Sequence, residues 1–334
     1  MRSWKIIGLA GLAIAALAAV PNGAREFAAD ASLSTVLQEL GDPAPNHALP
    51  ARTAEQIEWG RQLVFEGKVT GPPEGKSSKF ISPYFSCTSC HNSVREESDI
   101  TTTDPEDRLA YAEANNLAYL QASTFWGIAN RRTWYNDDYV LKYGDLVKAA
   151  ENSLRESTQL CAQECSQGRA LEGWELDAIV AYYWSVELTL ADLHLTKDDW
   201  NTLNHGAPQA ALDMLHTKYM RNSPATFGKL PQDLRAGYGL QGRPEKGKIL
   251  YEHACQHCHR PEGESDVILD NYPSTFKWLK RNMFRYDDLG LYHIVRKGTY
   301  ADKGWRPYMP HFTEQKMSDQ QVEDLRVYIE QMAE

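Results

Sequence analysis

The pentapeptide Cys-x-x-Cys-His occurs twice in this 334-residue chain, as Cys87-Thr88-Ser89-Cys90-His91 and as Cys255-Gln256-His257-Cys258-His259. At this spacing two thiols can form thioethers to the vinyl groups of a haem while the adjacent His takes the iron from one face. A redox dithiol or half a zinc site requires no His directly after the second Cys, yet both copies carry one. The expectation is two covalently attached haem c groups, held by Cys87, Cys90, Cys255 and Cys258, with His91 and His259 as metal ligands.

The N-terminus agrees with that expectation. Arg2 and Lys5 precede an apolar run from Ile6 to Val20, and Pro21-Asn22-Gly23-Ala24 follows. A charged start, an apolar core and a small-residue exit describe a secretory signal peptide. The run falls short of the roughly 20 residues that span a bilayer. Cleavage after Ala24 and after Ala31 both fit, so the leader is assigned to 1–31. Haem c is attached outside the cytoplasm, which makes the expected location periplasmic. No later apolar stretch reaches spanning length, so no membrane span is expected in the mature chain. The formal net charge of −10 leaves no basic excess to meet nucleic-acid phosphates. It suits a redox partner protein with a basic docking patch.

Along the chain, 32–50 reads as an extended lead-in. Apolar spacing predicts helices over 53–68, 145–159 and 174–188 in the first half. In the second half it predicts helices over 245–251, 287–297 and 318–332, the last opened by a capping box of Ser318 and Gln321. Gly60 and Gly247 stand inside the helices that precede the two motifs. Residues 192–240, with Pro208, Pro224 and Pro231, read as a connector rather than a third domain.

These repeated features resemble the class I cytochrome c fold, in which a Gly on the first helix lets it cross closely over an aromatic on the last. The resemblance implies an all-α chain of two tandem class I cytochrome c-like domains, 50–191 and 241–334, joined by a long connector. It pairs Gly60 with Tyr182 or Tyr183, and Gly247 with Tyr328. It also implies that Met309, in Met309-Pro310 and fifty residues after His259, is the distal ligand of the second haem. Pro310 stiffens that loop, and His/Met ligation raises reduction potential. Met317 is the competing sulfur. His293 reads as a packing residue, and His253 and His257 as surface residues.

The first half has no such ligand, because no His or Met occurs from Asn92 to Leu193. Three readings stand open. A thiolate, Cys161 first, ligates the iron; or Cys161 and Cys165 form a disulfide, as an exported location permits; or the position is open or filled from the connector by Met214, His216 or Met220. The segment 160–184 resembles the dihaem thiosulfate dehydrogenases and, more distantly, the sulfur-oxidising dihaem cytochromes of the SoxA type. Cys161, Gly168, Glu175, Ala181 and Tyr182 fall on their pattern. The resemblance implies that Cys161 ligates a substrate-facing first haem and that the second haem passes electrons outward. The chain departs from it in the long segment between His91 and Cys161 and in Cys165.

Within that long segment, the aromatics of 125–139 flank Arg131 and Arg132, whose guanidinium forks suit haem propionates or an anionic substrate. Arg155 and Arg169 flank the cysteine loop and could join such a site. Two functions from different classes follow: an electron carrier working through two haems, and a thiosulfate dehydrogenase-like oxidoreductase taking a small anionic sulfur substrate at the first haem. A dihaem peroxidase ranks below both, for want of a His/Met distal pair between the motifs.

Overall fold

The computed structural model describes residues 25–49, 51–299 and 308–334; most of the expected leader, residues 1–24, lies outside them. Among the described residues the fold is all-α, with a single isolated bridge between Ser32 and Thr189. Residues 32–50 are not the extended lead-in expected. They contain α1 (Leu33–Glu39), capped by the Ser32 side chain, with Leu33, Val36 and Leu37 buried on one face.

The first half then has α2 (Ala54–Glu66), closed by a Thr53–Gln56 capping box at one end and left-handed Gly67 at the other. It continues with α3 (Pro105–Asn115), the short α4 (Val140–Tyr143) and α5 (Leu146–Ala150), α6 (Leu154–Leu160) and α7 (Gly173–Ser185). The helix expected over 145–159 is thus two. Ser153 caps α6 afresh by accepting from the Glu156 N–H, so the chain turns between α5 and α6. The connector holds α8 (Lys197–His205) and α9 (Pro208–His216). The second half has α10 (Pro244–Leu250), α11 (Gln256–Cys258), α12 (Pro273–Asn282), α13 (Leu291–Lys297) and α14 (Asp319–Met332). α13 starts four residues later than expected, at the N-cap Gly290.

Two helix crossings organise the halves. α2 crosses α7 at Gly60, and α10 crosses α14 at Gly247. A Cβ at Gly60 would fall on the Ala178 carbonyl and lie 2.8 Å from Tyr182 Cβ; one at Gly247 would meet the Asp324 carbonyl and Tyr328 Cβ in the same way. Only a residue without a side chain permits such an approach. The tyrosines are Tyr182 and Tyr328.

The connector is more than a wrap. Leu203, Leu212 and Leu215 of α8 and α9 bury themselves with Leu33 and Val36 of α1 in a third apolar cluster. Conversely α3, which lies within 50–191, packs into the second core: its Leu109 and Ala112, with Tyr119 beyond its end, join Leu250, Tyr251 and Tyr328. That packing accounts for much of the long segment after His91.

Candidate functional site

Each motif opens onto a deep, largely apolar cavity. The first is lined by Cys87, Cys90 and His91, the second by Cys255, Cys258 and His259. In both, the motif turns tightly enough for the His N–H to reach the carbonyl of the first Cys, at 3.2 Å for His91 and 3.0 Å for His259. His91 donates from Nδ1 to the Ser123 carbonyl at 2.6 Å, and His259 from Nδ1 to that of Val267 at 2.8 Å. Such a bond fixes the ring and leaves Nε2 for iron. Phe125 stacks on His91 at 4.4 Å between centroids, and Tyr183 stacks on Phe125 at 4.9 Å. Burial lowers the pKa of both rings, that of His91 to about 4, so each stays neutral as an iron ligand must. Two thiols and an oriented imidazole at the mouth of an apolar cavity fit a covalently bound haem.

Met309 lines the second cavity. Its N–H donates to Thr299 Oγ1 at 2.7 Å and its carbonyl accepts from the Thr299 N–H at 3.0 Å. Met317 lies in the second core, 1 % exposed, and does not line the cavity. Met283, at the end of α12, does line it, a second sulfur that sequence reading passed over because α12 itself was not foreseen. His293 does not line the cavity. His253 is half-buried rather than a surface residue, its Nδ1 2.7 Å from the Leu117 carbonyl, and His257 is also half-buried.

The first cavity holds both Cys161 and Cys165, from a wide π turn that continues α6. No disulfide joins them. Cys165 faces the hydroxyls of Tyr143 at 3.4 Å and Tyr135 at 3.6 Å. Hydrogen bonds from Cys161 above all, then the tyrosines and the Lys142 charge, bring the Cys165 pKa down to about 6 against the opposing effect of burial. The connector lines this cavity with Ser223, Pro224 and Ala225 but not with its candidate ligands: Met214 packs on the third cluster, His216 faces Asp42 at 3.4 Å, and Met220 accepts from Thr103.

The arginines all have protein partners, Arg131 through a residue that lines the first cavity. Arg131 binds Ser223 Oγ, and Arg132 pairs with Asp42 at 2.6 Å. Arg155 pairs with Asp177, and Arg169 forks onto Glu175 at 2.6 and 2.7 Å. None of the four lines the first cavity, whose cations are Lys142 and, from the second half, Lys316. Sequence reading missed these because lysines distant in the chain carry no spacing signal. Lys316 belongs to a buried network: its Nζ lies 3.0 Å from Glu96, which also pairs with Arg108 at 3.2 Å.

The two cavities adjoin. Phe85, Cys90, Gln121, Tyr308 and Pro310 line both. Met309 turns to the second cavity while its neighbour but one, His311, lines the first.

A family model described as cytochrome C oxidase, cbb3-type, subunit III matches residues 242–329. That match makes this part of the chain a c-type cytochrome domain, one that binds haem c covalently and transfers electrons with a redox partner. Comparisons with curated proteins and with solved structures find no match. No helix among the described residues is long and apolar enough to cross a membrane.

Proposed function

We propose that the chain is an exported dihaem c-type cytochrome in which electrons pass between two adjoining haem sites, one in each half. The shared wall of Phe85, Cys90, Gln121, Tyr308 and Pro310 carries this reading, because it places the motifs beside each other. When bound, each haem supplies a one-electron iron couple. The protein's part is to hold and tune it. Cys87, Cys90 and His91 hold the first, and Cys255, Cys258 and His259 the second. Met309, which lines the second cavity, would give that haem its thioether ligand and raise its potential, which suits an exit toward a partner. The acidic surface favours a partner with a basic patch.

Export to the periplasm is supported by the leader pattern. Cleavage after Ala24 is favoured over Ala31, since the Ala29 and Ala31 carbonyls accept from the N–H groups of Ala191 and Leu190 and Arg25 binds the carbonyls of Leu203 and Gly206. Mass spectrometry and a pyridine haemochrome assay on the exported protein test the reading. Two haems per chain are expected, falling to one in Cys87→Ala/Cys90→Ala. A single haem in the unaltered chain would refute it.

A second reading is favoured by the presence of Cys161 in the first cavity. It would make Cys161, deprotonated by iron against the Cys165 hydrogen bond and the burial that raise its pKa, the thiolate ligand of a substrate-facing first haem, as the resemblance to thiosulfate dehydrogenases implies. EPR of the oxidised protein would then show a low-spin thiolate signal that Cys161→Ala abolishes. Added thiosulfate would bring up the reduced α-band. If thiosulfate reduces nothing at any accessible pH, the sulfur reading falls.

A further inference from the structure

Two polar groups in the first cavity take no part in these readings. Lys142 comes from α4 in the first half and His311 from the segment after Met309 in the second. Lys142 Nζ lies 3.1 Å from His311 Nδ1. An ammonium has only protons to give, so Nδ1 accepts and the ring's single proton sits on Nε2. That Nε2 is buried without a partner, in a residue only 8 % exposed.

The ring is held edge-on to Phe227, with centroids 4.4 Å apart, and lies 6.2 Å from Tyr139. The charges that act on it are those of Lys142, Lys297 and Arg296, all cationic, of which Arg296 is matched by Asp319 at 2.6 Å. No carboxylate pairs with Lys142 among the described residues; it rests over the ring of Tyr308 at 5.1 Å. An N–H without a partner, beside an ammonium whose charge meets only the Cys165 sulfur among the described residues, can take a further anion inside this low-dielectric cavity.

We propose that Lys142 and His311 together bind an anionic group in the cavity at His91, so that the first site is completed by a residue of the second half. The anion accepts hydrogen bonds from Nε2 of His311 and from the remaining protons of the ammonium. Two sources share this chemistry: a free small anion, and a propionate carboxylate of the haem in that cavity. The second source rests on the dihaem reading above; the first does not.

Azide serves as the probe, because its infrared stretch reports binding beside iron as well as on it. Oxidised holoprotein, unaltered and as Lys142→Met, His311→Phe and His311→Gln, is titrated with azide, and the potentials of both centres are measured. If the anion is free, azide binds, and Lys142→Met and His311→Phe weaken it tenfold or more while His311→Gln, which keeps a donor, retains most of the affinity. If the anion is a propionate, azide does not bind, and both disruptive variants lower the potential of the first centre alone. Unchanged azide affinity together with an unchanged first potential in Lys142→Met overturns the proposal. So does the lack of azide binding combined with unchanged potentials. His311 variants count only where the sulfur-to-iron band of Met309 persists, and Lys142→Met decides otherwise. A protein found to carry no haem at His91 would refute the dihaem reading, while the azide titration would still test the site.

Discussion

Three methionines near His259 differ in what surrounds their sulfur. Met309 and Met283 line the cavity, and Met317 is packed into the core between α14 and its neighbours. Met309→Ala should therefore abolish the sulfur-to-iron absorption band and lower the potential of the second centre. Met317→Ala should leave the band intact and cost about 2–5 kcal/mol in denaturant unfolding, the usual penalty for emptying a buried site. The buried carboxylates are also distinguished by their surroundings. At Glu96 burial alone would raise the pKa, but Arg108 and Lys316 outweigh it and hold the carboxyl well below the usual range. Its contribution to stability is present above the unfolded-state value near 4.5 and is lost as the pH falls further. Glu97 is the reverse case. Burial, reinforced by Glu96, raises it to about 7. Between about pH 4.5 and 7 the unfolded chain releases this proton before the folded one does, so Glu97 costs stability as pH rises. Glu97→Gln should raise the melting temperature at pH 8 and leave it unchanged at pH 4. Equal shifts at both values would show that the carboxyl does not titrate in this window.

At the level of elements, α2 with α7 and α10 with α14 are the same device used twice. The crossing depends on backbone contact at Gly60 and Gly247, so Ala at either position cannot gain the roughly 1 kcal/mol that Gly-to-Ala brings an ordinary helix. Gly60→Ala and Gly247→Ala should each destabilise by about 1–3 kcal/mol or more, measured by thermal unfolding, because overpacking pushes the helices apart. A stabilised variant would mean that the crossing is looser than described. These four helices were legible from apolar period, caps and the two glycines. α3, α8, α9 and α12 were not foreseen, and α1 was taken for extended chain. α3 and α12 open with Asp104 and Pro105, and with Pro273, good starting signals. Their apolar faces, however, are short and complete themselves only against the second core. The π turn at Cys161–Cys165 leaves no residue pattern that would mark it in the sequence.

Across the whole molecule the two halves are interlocked. α3 fills the second core, Lys316 reaches back to Glu96, Tyr119 donates to Gln321, and His311 enters the first cavity. Calorimetry of the holoprotein should show one cooperative transition. Two well-separated transitions would show that the halves fold independently. The sequence by itself, through motifs and a fold resemblance carried within a few dozen residues, made legible the all-α class and the Gly–Tyr crossings, and offered the motif residues and the sulfur of Met309 as candidates. It could not determine that the cavities adjoin, that Arg131, Arg132, Arg155 and Arg169 do not line the first, or that Lys142, Lys316 and His311 do. Those facts depend on tertiary contacts, from Arg132 with Asp42 to Lys142 with His311 and Lys316 with Glu96, which leave no periodic trace along the chain. For Lys316 and His311, only the packing of one half against the other decides them.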